Sequence, residues 1–156
     1  MSYKTVNLKD IYIHDAFIQY FDFKDNTIIF GVDRICVHKE CESNPHDYDT
    51  YVEQAIISIK NPNFKEMKYY GYKKYNDKNE IIDIIVDRYI DTDNVIDEIS
   101  NMIDLNPQFF GCTQLDNGDY AFTILYDNEV IDLILSFESC LIQWNEFSGK
   151  AWYIKD

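Results

Sequence analysis

The sequence predicts a mainly β protein of the β-rich α+β class, with antiparallel sheets in a sandwich- or roll-like arrangement and one short helix near residues 93–104. Isoleucine is the commonest residue and tyrosine occurs 13 times. Such β-branched and aromatic side chains suit the half-buried surface of a sheet. Alanine, the strongest helix former, occurs only four times. Segments with strand-like alternation, separated by turns rich in Asn and Asp, recur along the chain.

The length of the chain predicts a single domain covering residues 1–156, because single domains usually contain about 100 to 200 residues. No linker rich in Pro, Gly or Ser and no internal repeat divides the chain. At 46% apolar residues the chain can fill a core without a disulfide or a metal ion.

The first predicted elements form a hairpin. Residues 13–23 and 28–37 are strand-like, and the Asp and Asn between them favour a tight turn. Residues 51–60 alternate between an apolar and a polar side, which predicts a third strand.

The middle of the chain combines strand patterns with one helix. Residues 67–75 are rich in tyrosine, and residues 81–90 place Ile82, Ile84, Val86 and Ile90 on one side of a strand. A helical wheel also separates these residues from the acidic ones, so both interpretations of 81–90 stay open. From residue 95 onward the apolar positions follow a helical period, and the preceding Asp-Thr-Asp predicts its N-terminal cap.

The last third predicts a second hairpin, formed by residues 109–115 and 120–126. The Asn117-Gly118 pair between them favours a type I′ turn. A further turn at 127–129 leads into a strand whose apolar side changes near residues 138–139, which predicts a bulge or break there. The aromatic tail, residues 144–153, is expected to pack back on the sheet.

The charge of −14 limits the classes of partner. Such a charge repels phosphate, so we expect neither nucleic acid nor an anionic membrane as a partner. The sequence shows no signal peptide and no apolar run of the roughly 20 residues that cross a bilayer. A cytoplasmic location and four free thiols are therefore expected.

No catalytic motif is present, and we predict neither enzymatic activity nor a cofactor. The chain lacks a nucleophile elbow, a P-loop and a dinucleotide-binding fingerprint. Residues 91–93 resemble a DxD metal-phosphate site, but a helix cap explains them better. His14 and Asp15 should point to opposite faces of a strand, which excludes a shared metal; Asp15 is instead expected to accept backbone hydrogen bonds.

Cys36, His38, Cys41 and His46 form the densest group of metal-binding residue types. Two thiols and two imidazoles could hold zinc tetrahedrally. Their spacing, C-x-H-x2-C-x4-H, matches no usual zinc knuckle, and a strand running into an exposed loop explains the residues without a metal. A metal-binding or enzymatic domain built on this cluster is therefore an alternative function.

The tyrosines at positions 69, 70, 72 and 75 are the predicted partner-binding residues. Tyrosine buries apolar area while keeping a polar tip, and it is enriched at protein interfaces. An acidic surface attracts a basic partner and accelerates the encounter. Together these observations predict a protein-binding module.

Two segments resemble small uncharacterised bacterial β-rich families. The N-terminal segment Ile11-Tyr12-Ile13-His14-Asp15-Ala16-Phe17-Ile18, followed by a short turn and Thr27-Ile28-Ile29-Phe30, is similar to their opening strand and hairpin. The tail Trp144-Asn145-Glu146-Phe147-Ser148-Gly149-Lys150-Ala151-Trp152-Tyr153 looks like their closing motif. Some small acidic proteins of this kind are immunity proteins, which block a bacterial toxin by binding it. The resemblance thus implies an immunity protein that occludes a basic toxin surface, and it assigns no functional residue.

A structural domain that associates with itself through an exposed sheet edge is the remaining alternative.

Overall fold

The computed structural model describes residues 1–154, and it confirms a β-rich α+β fold with several antiparallel sheets, one of them curled into a half-barrel. The strands are β1 (Tyr3–Thr5), β2 (Ile11–Tyr12), β3 (Ile18–Lys24), β4 (Thr27–Val37), β5 (Thr50–Lys60), β6 (Asn63–Tyr69), β7 (Tyr72–Tyr75), β8 (Ile81–Ile85), β9 (Arg88–Ile90), β10 (Gln108–Gln114), β11 (Tyr120–Tyr126), β12 (Glu129–Ser136), β13 (Ser139–Trp144) and β14 (Gly149–Lys150). The helix α1 covers Val95–Met102 and lies between 3-10 turns at Thr92–Asn94 and Ile103–Leu105, as predicted for 93–104.

Three sheets are present among residues 1–154. The largest has seven strands, with the order β1-β13-β5-β4-β2, β14 paired to β5 and β3 paired to β4. The second has five strands, in the order β10-β11-β12-β6-β9. The third contains only β7 and β8.

The two larger sheets share one hydrophobic core. Phe30 of β4 packs edge-on against Phe109 of β10, with ring centroids 5.3 Å apart, and Phe109 contacts Phe122 of β11. The helix buries Val95, Ile99 and Met102 against the same core, which is the apolar side that the sequence predicts.

Two of the predicted turns follow directly from Asp and Asn. Asp25 and Asn26 between β3 and β4, and Asp127 and Asn128 between β11 and β12, all have positive φ, as a two-residue type I′ turn requires. The predicted type I′ turn at Asn117-Gly118 is wrong. Only Gly118 has positive φ there, and its N–H donates to the Leu115 carbonyl at 2.9 Å, so a type I turn followed by a left-handed glycine joins β10 to β11.

The prediction of one continuous strand over residues 13–23 is also wrong. The chain turns at His14 and Asp15, where Asp15 has a φ of 69°, and β3 begins only at Ile18. The Asp15 N–H donates to the Phe109 carbonyl, and the Phe109 N–H donates to the Ala16 carbonyl. A local strand pattern was overridden by tertiary hydrogen bonds to β10, which join the two larger sheets.

The strand character of the remaining segments is confirmed, but residues 67–75 and 81–90 are each divided between the five-stranded sheet and the two-stranded sheet. Residues 81–90 are extended, which resolves the ambiguity with a helix. The predicted break near 138–139 is the passage from β12 in the five-stranded sheet to β13 in the seven-stranded sheet. Within residues 1–154, no helix has the length and apolarity needed to span a membrane.

The aromatic tail divides into a packed and an exposed part. Trp144 is fully buried, and β14 pairs with β5 so that Ala151 is buried as well. Trp152 is 84% exposed, although its neighbours Ala151 and Tyr153 both hold hydrogen bonds to the body of the protein. The expectation that the tail packs back therefore holds for Trp144 and not for Trp152.

Candidate functional site

The four predicted partner-binding tyrosines lie at the start of a projecting hairpin. Tyr70, Tyr72 and Tyr75 are exposed, whereas Tyr69 is 2% exposed and belongs to the core. The structure therefore places three of the four side chains where a partner could contact them. Tyr69, the last residue of β6, lies in the core at the start of the hairpin.

The hairpin, which we call the arm, comprises residues 70–87. Its strands β7 and β8 pair Tyr72 with Ile85, Lys73 with Ile84 and Lys74 with Asp83. Within residues 1–154 these two strands pair with no strand of either larger sheet. A two-stranded hairpin is at best marginally stable alone in water, so the arm depends on what holds its ends and on what covers it.

Aliphatic side chains of β8 and of the residue that follows it are exposed to solvent. Ile82, Ile84 and Val86 are 63%, 59% and 76% exposed. Ile82 and Ile84 belong to β8, whose pairing with β7 is irregular at Ile82, and Val86 follows the strand, so the three side chains are neighbours along the arm. The alternation along 81–90 predicted a strand with an apolar side, and the structure shows that this side is not covered by residues 1–154.

The tip of the arm is held by Asn76. The Asn76 side-chain oxygen accepts hydrogen bonds from the backbone N–H groups of Lys78 and Glu80, at 2.9 and 3.0 Å. The backbone N–H of Asn76 donates to the Glu80 carbonyl. Asn79 takes the positive φ that closes this turn. A turn fixed in this way lowers the entropy that the arm would lose on binding.

The base of the arm is held by Gly71 and Asp87. The Gly71 N–H donates to Oδ1 of Asp87 at 2.7 Å. A Cβ at Gly71 would lie 2.2 Å from the carbonyl oxygen of Ile85, so only glycine permits the two ends of the arm to approach this closely.

A polar cluster beneath the base joins the arm to the core. The Tyr69 hydroxyl donates to Glu98 of α1 at 2.5 Å, and the Arg88 guanidinium lies 3.9 Å from the centre of the Tyr69 ring. Burial, followed by the hydrogen bond to Glu98, raises the pKa of Tyr69 well above its ordinary value. Tyr69 is therefore neutral at neutral pH, where its hydroxyl donates to Glu98.

Charge is distributed unevenly between the arm and the remainder of the chain. The arm contains three lysines and four acidic residues, a net charge of −1, which leaves −13 for the other residues. The arm is thus an almost neutral, apolar surface on a strongly acidic protein.

No family model, curated protein or solved structure matches the chain.

The predicted zinc cluster does not assemble. Among residues 1–154, no three of Cys36, His38, Cys41 and His46 place ligand atoms within 4.8 Å of one another. The Cys36 thiol lies 3.5 Å from the Tyr153 hydroxyl, and His46 stacks on Tyr48. Burial raises the pKa of the Cys36 and Cys41 thiols, which disfavours the thiolate that zinc requires.

A different trio, His38, Glu40 and Asp49, does converge within that distance. Hydrogen bonds inside the protein already occupy the Asp49 carboxylate. Oδ1 accepts from the Lys39 N–H at 2.8 Å, and Oδ2 accepts from the Tyr153 hydroxyl at 2.6 Å. These contacts give Asp49 a structural role, namely fastening the C-terminal tail to the loop after β4.

His14 and Asp15 lie side by side, contrary to the prediction that they point to opposite faces. His14 Nδ1 is 2.9 Å from Asp15 Oδ2 because the two residues form a turn and not a strand. The predicted role of the Asp15 carboxylate as an acceptor from the backbone is not observed among residues 1–154. It accepts instead from the side-chain amide of Gln108 at 3.4 Å.

The exposed aliphatic residues of the arm were missed as site residues. Their alternation with Asp83 and Asp87 indicates a strand, and a strand with one apolar side is normally covered by its own domain. The local composition of residues 70–87 could have indicated the arm. This segment combines three tyrosines, two asparagines and a net charge of only −1.

Proposed function

We propose that the protein is a protein-binding module that acts without catalysis in the cytoplasm and holds a basic protein partner through the arm. The observation that carries the proposal is the uncovered strip of Ile82, Ile84 and Val86 on a hairpin that belongs to neither larger sheet. Exposed apolar side chains that adjoin one another are typical of interaction sites.

Charge supports a partner of a different kind over a second copy. Two copies would bring together two bodies of −13 each, and their mutual repulsion opposes association. A basic partner is attracted by the same charge, while an apolar cleft on that partner would receive the arm. Neutralisation of a toxin by an immunity protein is the specific form of this binding that the sequence resemblance implies.

The topology offers a direct test of the proposal. Tyr69 of β6 is paired directly with Arg88 of β9, so residues 70–87 are an insertion between two neighbouring antiparallel strands. Replacing these residues with Asn-Gly would join β6 to β9 by an ordinary two-residue turn. We expect the armless variant to fold and to lose the partner.

The binding experiment compares charge-matched variants. The partner is isolated from the native host on immobilised full-length protein, identified, purified and titrated. Binding should be lost in the double variant Ile82→Asp/Ile84→Asp and retained in Val6→Asp/Leu105→Asp, which adds the same charge at exposed apolar positions outside the arm. The association rate with the intact protein should fall as salt is added.

Three results would overturn the proposal: a partner that the armless variant binds equally well, a partner that is acidic, or self-association that strengthens with salt and needs the arm. The last result would favour the self-associating alternative. Sedimentation velocity over a concentration series detects it.

A further inference from the structure

Arg34 occupies a backbone conformation that its residue type disfavours. Its φ is 44°, inside a β-strand, where a side chain with a Cβ is strained and where Gly, Asn and Asp are the usual residues. Strained residues of this kind concentrate at functional sites, because the surrounding structure must hold them in place.

The strain coincides with a change of the buried side that β4 and β5 share. Asp33 pairs with Gln54 and Ile35 with Val52, so the register is the same on both sides of Arg34. The buried side of β4 nevertheless changes parity there. This change of side places residue 34 in the left-handed conformation, which does not require an arginine side chain.

No contact among residues 1–154 explains the arginine. Its guanidinium forms no ion pair, hydrogen bond or ring contact with residues 1–154. The other arginine of the chain, Arg88, is engaged with Tyr69 and Glu98. Arg34 is therefore the arginine whose guanidinium is left exposed to solvent, and what distinguishes it from the exposed lysines is its strained backbone and the surface that it lines.

Aromatic side chains line the same surface as Arg34. Arg34 lines a groove with a volume of about 590 Å³ together with Tyr12, Phe17, Trp152 and Tyr153, and we call it the aromatic groove. All four rings are exposed, Trp152 most of all. Among the described residues that line this groove, Asp15 is the acidic one. Its Oδ2 lies 2.9 Å from Nδ1 of His14.

We propose that this aromatic groove binds a small monocarboxylate that carries a flat aromatic ring. The guanidinium is a planar fork that matches a carboxylate with two parallel hydrogen bonds, and the surrounding rings would stack on the aromatic part of the ligand. A single negative charge fits better than a phosphate dianion, because Asp15 and the net charge of the protein repel additional negative charge. The groove is separate from the arm and does not depend on the proposed function.

The two tryptophans allow a direct test by NMR. Trp152 lies in the groove, whereas Trp144 is fully buried, so their indole N–H signals report on the groove and on the core. Titration with phenylacetate should shift the Trp152 signal in a saturable way and leave the Trp144 signal in place. A Trp152→Phe variant assigns the two signals.

Matched probes and variants make the test specific. Phenylacetamide, which lacks the charge, should bind about tenfold more weakly or worse, and Arg34→Asn should weaken phenylacetate binding by a similar factor. Lys65→Asn removes an exposed positive charge elsewhere and should leave binding unchanged. Because asparagine tolerates the left-handed conformation, Arg34→Asn should melt at the same temperature as the wild type or higher.

The proposal is overturned if phenylacetate does not saturate, if phenylacetamide binds equally well, or if Arg34→Asn binds like the wild type. A lower melting temperature of Arg34→Asn would show that the arginine stabilises the fold, which also contradicts the proposal.

Discussion

The backbone N–H of Gly71 donates a hydrogen bond of 2.7 Å to the Asp87 carboxylate, and this bond joins the two ends of the projecting arm. The carbonyl of Ile85 leaves no space for a side chain at position 71. The base of the arm is therefore closed by one glycine and one carboxylate, next to the Tyr70 N–H that donates to the Val130 carbonyl of β12.

Gly71→Ala should displace the base of the arm. A Cβ placed 2.2 Å from a backbone oxygen forces the chain to move, and we expect a loss of about 1–3 kcal/mol in the free energy of unfolding. Urea denaturation measures this loss. Gly111→Ala is the matched control, because a Cβ there has no atom within 4 Å and stability should be unchanged or slightly higher. Equal stabilities of the two variants would show that the base is not tightly held.

Hydrogen exchange should separate the arm from the sheets. Amides of β7 and β8 are protected only by a two-stranded ladder, whereas those of β4 and β5 lie inside the seven-stranded sheet above the core. We expect amides of the arm to exchange at least about a hundredfold faster, because local opening there exposes little buried surface. Comparable protection in both regions would mean that the arm unfolds only together with the core.

The Asp49 carboxylate should make stability depend on pH. Burial alone would raise its pKa, but the hydrogen bonds from Tyr153 and the Lys39 amide, with His38 nearby, lower the pKa below the ordinary value of 3.8. The charged carboxylate therefore stabilises the fold above pH 3.8, and this contribution is lost as the pH falls through the lower value of the folded state.

Asp49→Asn should accordingly lower the free energy of unfolding by about 1–2 kcal/mol at pH 7, and the difference from the wild type should shrink near pH 3. Urea denaturation at the two pH values measures this. Asp47→Asn, at an exposed neighbouring position, is the control and should change little at either pH. A difference that persists unchanged at pH 3 would contradict the role given to the charge.

The core thiols should resist alkylation. Burial raises the pKa of Cys112 and Cys140 to about 12, and the thiolate is the reactive form of cysteine. Iodoacetamide at pH 8 should leave both residues unmodified for hours in the native protein and modify them within minutes in urea, as read by peptide mass spectrometry. Rapid modification without urea would show that the sheets open at this position.

Local chemistry made much of the fold predictable. The Asp-Asn pairs at 25–26 and 127–128 produce the turns that their residue types favour, and the helical period after residue 94 produces α1. In each of these cases the residues that determine the conformation are neighbours along the chain.

Apart from the turn type at Asn117-Gly118, the errors arose where distant residues decide the outcome. The strand pattern around His14 and Asp15 gives way because hydrogen bonds to Phe109 and Pro107 draw this segment toward β10. Likewise, Tyr69 and Tyr70 look equivalent in the sequence. Tyr69 continues the buried side of β6 after Met67, where its hydroxyl reaches Glu98 of α1, whereas Tyr70 is exposed. The sequence could not distinguish the exposed arm from a covered strand. The difference is that neither larger sheet pairs with β7 or β8, and this depends on residues far away in the sequence.

The direct pairing of Tyr69 with Arg88 makes the arm, which we propose as the contact surface, an exchangeable unit. Because the arm enters and leaves at adjacent positions of an antiparallel pair, its sequence can be exchanged, lengthened or transplanted into a hairpin of another protein with little disturbance of the host's interior. The binding surface can thus change in sequence while the core of the two larger sheets stays the same. Libraries randomised at Ile82, Ile84 and Val86 would offer a route to variants that bind other partners.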